Sequence, residues 1–534
     1  MLERIIIMNN FQELTNFLDK YDVKYIIHSD CVEVEGDLCL NHKKLTSLPE
    51  SFGNLKIGGK LYLACNNLTS LPESFGNLKI GGDLWLSNNK LESLPKSFGN
   101  LKIGGGLGLD NNKLKSLPES FGNLKIVCGL TLAHNKLESL PESFGNLKIG
   151  GDSYLGHNKL ESLPESFGNL KIGGGLELSY NKLESLPESF GNLKIGGRLY
   201  LDSNNLTSLP KSFGNLKIGG GLGLDSNKLK SLPESFGNLK IGGGLNLGYN
   251  KLESLPESFG NLKIGGNLYL DGNKLESLPE SFCNLKIGYD LTLGYNKLES
   301  LPESFGNLKI GRSLYLYHNK LESLPESFGN LKIGDILWLE GNQLTSLPES
   351  FGNLKIGASL FLQRNKLTSL PESFGNLKIG RFLYLNNNNL TSLPDIPSMN
   401  QTIEEDWCYI DGLVREIVSK KTLGELTIIK TPFDYIVGKD TTWAHGRTIE
   451  EATQDYHFKL MEANPDAIKQ IDLDKPLSHE EAINVYRVVT KACREGIRQW
   501  MSGKTFPEQI TIREIINLTQ SAYGGEEFKK FFLP

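Results

Sequence analysis

Apolar residues recur along this chain in a fixed order. From Leu61 it reads LYLACNNLTSLPESFGNLKIGGD, and this arrangement returns every 23 residues without insertion or deletion. The opening leucine stands at Leu38, Leu61, Leu84 and so on to Leu383, sixteen copies in all, with Ser153 the one exception. A fixed period of this size is the mark of a solenoid. Within a copy, Leu61 and Leu63 flank Tyr62, which predicts a short strand with both leucines on one face and Tyr62 on the other. Asn66 follows where the chain leaves the strand. A buried amide there is expected to satisfy backbone groups that no ladder reaches, and stacked copies would line up Asn66, Asn89, Asn112 and onward to Asn388. Leu71-Pro72 departs from the strand direction, because proline supplies no ladder donor. Phe75, Leu78 and Ile80 turn back inward, and Gly81-Gly82 lets the chain bend into the next strand.

The L-x-L-x-x-N-x-L core of each copy resembles the leucine-rich repeat, and the S-L-P-E-S-F-G-N-L half resembles the LPxxFGNL variants of that family. The resemblance spans residues 36–397. It implies an α/β-type solenoid, a leucine-rich-repeat horseshoe with a parallel concave sheet and irregular or 3₁₀ turns outside. One position departs from the family pattern: Gly81 stands where a leucine is usual, three residues before the strand, with Ile80 one residue earlier. A tighter or bulged turn into each strand is expected. One copy cannot fold alone. Its seven large apolar side chains are worth ~10–20 kcal/mol gross only when neighbouring copies bury them from both sides. Sixteen strands ~4.8 Å apart would form a ladder about 75 Å long.

The flanks break the period. Residues 11–21 place Phe11, Leu14, Phe17 and Leu18 at helical spacing, and residues 23–28 and 31–35 alternate like two strands. Residues 1–35 are therefore expected to form an N-terminal α/β cap over the open edge of the first coil, where Lys43 replaces the ladder asparagine. Residues 398–534 lose the repeat and read as a small C-terminal α+β domain. Strands are expected at 407–411, 414–420, 426–430, 435–437 and 442–444. Helices are expected from the Thr448 cap to Met461, from Ser478 to about Met501, and over 512–521 and 526–532.

Composition narrows the function. The chain has 534 residues and a net charge of -5, and most copies carry two lysines and two glutamates, so the repeat surface reads as charge-balanced. That argues against a nucleic-acid partner, which needs a basic stripe. No apolar run approaches the length of a membrane span, so no membrane partner is expected. The start MLERIIIMNNF does not read as a secretory signal, and the seven cysteines show neither disulfide-scaffold nor zinc spacing. An intracellular, cytoplasmic setting fits best; secretion without a cleavable signal would leave no trace here. No cofactor or metal is expected. Glycine runs such as Gly104-Gly105-Gly106 have no Lys-Ser/Thr sequel and read as turns, not phosphate loops.

Comparison between copies locates the variation. The outer half is nearly uniform, whereas the residue between the two leucines varies and is aromatic in nine of sixteen copies: Tyr62, Trp85, Tyr154, Tyr200, Tyr269, Tyr315, Trp338, Phe361 and Tyr384. Just after the strand come His134, His157, Tyr180, Tyr249, Tyr295, Tyr317, His318 and Arg364. Outward aromatics on a concave sheet suit a protein partner, because Tyr and Trp bring large contact area at low entropic cost. The candidate partner-binding residues are those nine aromatics with Tyr317 and Arg364, densest from 315 to 384 and secondarily at Tyr62–Trp85. A tyrosine ladder also stabilises a sheet by cross-strand packing, and duplication alone keeps an outer face uniform. Both readings stand; the concentration of variation on one face favours binding.

In the C-terminal region, His445, His457 and Cys493 are the residues able to do chemistry, and a Cys/His pair makes a nucleophile and base. Cys493, close to Val488, Val489 and Ile497, reads as a buried thiol, and His445-Gly446 as a strand-to-helix link. No catalytic residue is assigned. Secreted bacterial ubiquitin ligases also join leucine-rich repeats to a C-terminal domain, but their Cys-x-Asp signature is matched neither by Cys493-Arg-Glu nor by Cys408-Tyr-Ile-Asp. The stretch TTWAHGRTIEEA, with YRVVTKAC and TIREII, resembles a C-terminal domain of uncharacterised phage and prophage leucine-rich-repeat proteins over most of 405–532. That implies a phage or bacterial origin, with a host factor as partner, and no known activity. The function expected is non-enzymatic recognition of a protein on the concave aromatic face. The alternatives are an effector whose C-terminal domain modifies a target chosen by the repeats, and a structural spacer. Oligomeric state is left open.

Overall fold

The computed structural model describes residues 11–385, 387–390, 407–410, 413–416, 419–423, 426–430, 435–439, 442–491, 497, 507, 509–520, 522 and 524–533. The chain divides into two compact units, 1–378 with 388–394, and 379–387 with 395–534.

The first unit is a solenoid. Fifteen short strands, from Leu38–Cys39 to Ser359–Phe361, stack in parallel at the 23-residue register, as in Leu61↔Leu84 and Tyr62↔Trp85. Both leucines of each strand face the core, and Leu61, Leu63, Leu84 and Leu86 are fully buried. The ladder asparagines do what the sequence predicts. The Asn204 amide donates to Leu178 O at 3.1 Å in the preceding coil and to Leu201 O at 3.0 Å in its own, and Asn204 Oδ1 accepts from Leu183 N at 3.1 Å. Each asparagine thus ties two coils through backbone groups that neither strand can pair. Opposite the strands, Glu-Ser-Phe-Gly-Asn segments such as Glu73–Asn77 form 3₁₀ turns. Their phenylalanines stack from Phe52 to Phe282 and again from Phe305 to Phe374, with ring centres 6.0 Å apart between Phe52 and Phe75 and planes 4° from parallel.

The approach to each strand differs from expectation. Instead of a tighter or bulged turn, Leu-Lys-Ile forms its own short strand, and Leu55–Ile57, Lys79–Ile80 and their counterparts pair in parallel in three runs, interrupted after Lys102–Ile103 and after Lys309–Ile310. The alternation supplies the reason: Leu78 and Ile80 point inward and Lys79 outward, and the fixed period puts identical segments side by side. Glycine at the unusual position follows, because a Cβ on Gly81 would lie 2.1 Å from Gly58 O of the preceding coil. At the start, the helix Gln12–Lys20 lays Phe17 edge-on against Phe52 at 5.8 Å, and Glu13 accepts from the Ser51 hydroxyl at 2.7 Å. The strand Ile26–Ile27 pairs antiparallel with Val32–Val34, which continues the second sheet through Leu55–Ile57.

The second unit carries an antiparallel meander, Ser419–Leu423, Leu426–Lys430, Tyr435–Lys439 and Thr442–Gly446, followed by the helix Ile449–Ala463. Phe382–Tyr384 pairs antiparallel with Leu413–Glu416, itself in a hairpin with Trp407–Ile410. The single strand expected at 414–420 is therefore two. Thr448 caps its helix by accepting from Glu451 N, and Ser478 and Thr511 form capping boxes with Glu481 and Glu514. The helix expected to reach Met501 is His479–Thr490, because Lys491 adopts a left-handed conformation, φ 57°, and closes it. A short helix, Pro465–Lys469, precedes it, and Ile512–Leu518 and Gly525–Phe532 follow, with Val485, Ile512 and Phe528 in one core cluster. Among the described residues no helix is long and apolar enough to cross a membrane.

Two positions break the repeat inside the core. Ser153 takes the place of a leucine, is fully buried, and its hydroxyl has no hydrogen-bond partner. Its strand keeps the common register with Leu130 and Leu176, so the leucine that fits every neighbouring coil fits here. Cys283 takes the place of a glycine. One coil earlier, a Cβ on Gly260 would meet Ser281 O at 1.9 Å; at Cys283 the following turn shortens to Phe305–Asn307, and the Ser304 hydroxyl donates to the Glu280 carboxylate at 2.7 Å. In urea and thermal unfolding, Ser153→Leu is expected to stabilise by roughly 2–4 kcal/mol through added apolar burial and a removed orphan hydroxyl. Cys283→Gly adds a smaller gain, and the two effects sum because the sites are several coils apart. Asn204→Ala is expected to lose about 2–4 kcal/mol, since it strands one buried N–H and two carbonyls.

Candidate functional site

In a stacked repeat every sequence position becomes a row along the molecule. Four rows line the strand face: the residue before the first leucine, the one between the leucines, and the two before the ladder asparagine. The last of these is left-handed in coil after coil, with φ of 57° at Cys65, 54° at Tyr180 and 56° at Arg364, and glycine at only two coils, Gly272 and Gly341. A non-glycine residue in this conformation costs roughly 1–2 kcal/mol. The turn is held by its N–H, which bonds to the next coil, as in Tyr180 N to Asp202 O at 3.1 Å.

The predicted aromatics are on this face. Tyr154 is 42% exposed, and Tyr180, Tyr249 and Tyr295 in the left-handed row are 53–61% exposed. Tyr62, Trp85, Tyr200, Tyr269, Tyr315, Tyr317, Trp338 and Phe361 are half-buried. Two glycines between the paired leucines are covered by the preceding ring: a Cβ on Gly108 would strike the Trp85 ring at 2.3 Å, and one on Gly223 the Tyr200 ring at 2.9 Å. Several phenols are held by the preceding row, Tyr154 Oη donating to Asp152 at 3.2 Å and Tyr200 Oη accepting from Arg198 at 3.0 Å.

Residues 295–361 form one packed aromatic patch. Trp338 stacks on Phe361 at 4.6 Å and leans on Tyr317 at 5.3 Å, and Tyr317 meets Tyr295 edge-on at 5.3 Å. Trp338 Nε1 donates to Glu340 at 2.9 Å, and Arg364 approaches the same carboxylate at 3.5 Å. Burial, with Asp271 and the surrounding tyrosines, pushes the Tyr317 phenol up to about 12, so it stays a neutral donor. The patch borders an open dish of about 480 Å³. Tyr384 lies on the second unit's strand Phe382–Tyr384. A second dish of about 540 Å³ lies six coils earlier, where His134, His157 and Tyr180 stack at 4.2 and 4.4 Å.

The charge-balanced surface expected from the sequence is corrected by the structure. One lysine of each copy and the carboxylates beside the strand stand on different faces. Lys79 and Lys102, and Lys125 and Lys148 on the next sheet, are paired in register within a row of exposed lysines. The strand face instead carries Asp83, Asp110, Asp152, Glu177, Asp202, Asp225, Asp271, Asp290 and Glu340, against Lys60, Arg198 and Arg364. Lys60 pairs with Asp83 at 2.9 Å. Asp202 accepts from Ser179 Oγ at 2.8 Å and Asp225 from Asn246 Nδ2 at 2.9 Å, both neutral donors. Burial raises the Asp225 pKa above the ordinary value, and Asp202 and Asp271 add to the rise. This acidic face was missed in the sequence, although reading down the column two residues after the varied position would have found Asp110, Asp202, Asp225, Asp271 and Glu340.

His457 is exposed on Ile449–Ala463, His445 lies in the strand Thr442–Gly446 with its side chain outside the described set, and Cys493 lies outside the described residues. Among the described residues no group of His, Cys, Asp and Glu side chains could hold a metal ion.

The leucine-rich-repeat family model matches residues 60–78, 83–101, 267–285 and 312–331. No curated protein matches the chain. Among solved structures, the chain is similar to a leucine-rich repeat protein of Leptospira interrogans, at 31% identity and TM-score 0.50, covering 66% of this chain and 90% of that one. It is also similar to the leucine-rich effector protein YopM of Yersinia pestis, at 27% identity and TM-score 0.42, covering 72% and 89%. A third is the plant peptide hormone receptor RGFR1 in complex with RGF2, at 27% identity and TM-score 0.43, covering 68% and 69%.

The Asp225 shift has a readable consequence. Its folded pKa lies above the unfolded value, so ionising it at neutral pH weakens the native state, and stability is regained as pH falls through the raised value. Asp225→Asn is expected to raise the thermal midpoint at pH 7, with the gain fading toward about pH 3, where the carboxyl is protonated folded or unfolded.

Proposed function

Because the chain belongs to the leucine-rich repeat proteins, whose fold is a protein-interaction scaffold, we propose that it is a recognition protein that holds a protein partner on its concave sheet. The observation that carries this reading is the patch of Tyr295, Tyr315, Tyr317, Trp338 and Phe361, whose rings pack on one another while still facing outward. Clustered, half-buried aromatics are pre-ordered, so a partner loses little side-chain entropy in meeting them, and such residues dominate interface energetics. Cross-strand packing alone would also place rings in contact. It gives no reason for large exposed aromatics in the left-handed row, a position that glycine fills without strain at Gly272 and Gly341. The resemblance of residues 405–532 to phage and prophage proteins supports a bacterial host protein as partner.

The array supplies its own safe substitutions, since Thr131 and Thr292 occupy the position of Trp338 and Phe361 in other coils. In affinity capture from host lysate, the double variant Trp338→Thr/Phe361→Thr is expected to retain less than a tenth of the partner held by the parent, about 1.4 kcal/mol or more. The outer-turn variant Glu142→Gln/Glu257→Gln should retain it. Equal capture by all three chains removes the concave-face reading.

A further inference from the structure

The strand face also specifies the chemistry of what it holds. Resting on the concave-face reading above, we infer that the partner docks through a basic segment, with an arginine or lysine side chain seated in the acidic dish around Glu177 and Asp202. The dish joins carboxylates and ring faces in one place. Glu177 is fixed by the N–H groups of Gly156 at 3.1 Å and Ser179 at 2.9 Å, and Asp202 by Ser179 Oγ at 2.8 Å. Only neutral groups bond these carboxylates, and neither has an ion-pair partner among the described residues. Each keeps acceptor capacity pointed at solvent. Tyr154 and Tyr180 stand beside them, 42% and 53% exposed, with His157 covering one face of Tyr180. A guanidinium fits both features, because it bonds carboxylates bidentately and stacks on tyrosine.

Charge complementarity selects the occupant. The acidic row continues through Asp225 and Asp271, where burial and then repulsion from Asp202 raise Asp225, whereas the row of Lys79 and Lys102 stands on a different sheet. A nucleic acid or an anionic membrane would meet like charge on this face. The dish lies seven coils from Trp338, ~34 Å along the sheet. An extended segment covers that span in about ten residues. One partner segment can thus place apolar side chains on the aromatic patch and a basic side chain in the dish.

The test uses the full chain and a fluorescein-labelled nona-arginine peptide, followed by fluorescence anisotropy at low salt. Asp202→Asn/Asp225→Asn is expected to weaken binding at least tenfold. Glu142→Gln/Glu257→Gln, which removes the same charge from the outer turns, should change it less than twofold. Tyr180→Ser, the residue found in the same row at Ser203 and Ser226, is expected to weaken it severalfold without altering the thermal midpoint. Absence of binding, or equal weakening by the concave and outer pairs, overturns the proposal. Captured partner separates the two readings. Loss with Trp338→Thr/Phe361→Thr but full retention with Asp202→Asn/Asp225→Asn overturns the basic segment and leaves the concave face standing. Retention by both variants overturns both.

Discussion

The buried asparagine amide is the interaction on which the solenoid depends. A two-residue strand pairs too few backbone groups to hold a coil, and the turn that follows leaves carbonyls and an N–H facing the core. One side chain with two donors and one acceptor closes that deficit in its own coil and the preceding one. It does so only if the next coil presents the same groups at the same place. An insertion of one residue would misplace every amide beyond it, so the invariant 23-residue spacing and the ladder are the same constraint. The phenylalanine column imposes it again on the opposite side, at about 6 Å per coil.

Strict repetition has an electrostatic consequence. A copy with balanced charge does not make a balanced surface, because each position is projected into a row. Lysine on the second sheet repeats as a basic row, and carboxylates beside the strand collect as an acidic one. The two faces therefore differ in the partners they suit, though net charge is only -5. Substitutions on the strand face are where the array varies most, and elsewhere most copies keep the same residues.

The strand face combines strain with display. The left-handed residue before each asparagine turns the chain out of the strand and carries its side chain at the rim. Where that residue is Tyr or His, rings stack from coil to coil, as in His134, His157 and Tyr180. Aromatic anchors near Trp338 and carboxylates near Asp202 lie on one continuous sheet, so a single extended partner can use both.

The solenoid, its period, the inward leucines, the asparagine ladder and the outward aromatics were all determined by the sequence, because each follows from local alternation and from spacing alone. So were the caps at Thr448 and Ser478, which need only neighbours three residues away. What tertiary structure decided is whatever depends on a second coil. Leu-Lys-Ile became a strand because an identical segment lies beside it, and Gly81 is required because Gly58 O approaches it. Trp85 covers Gly108 one coil on, which no reading of either position alone would show. Charge was sorted into rows, and Asp225 was perturbed by Asp202 and Asp271, residues far apart in sequence and adjacent only in the stack. Alternation along one chain is visible in letters; proximity between coils exists only after they are wound.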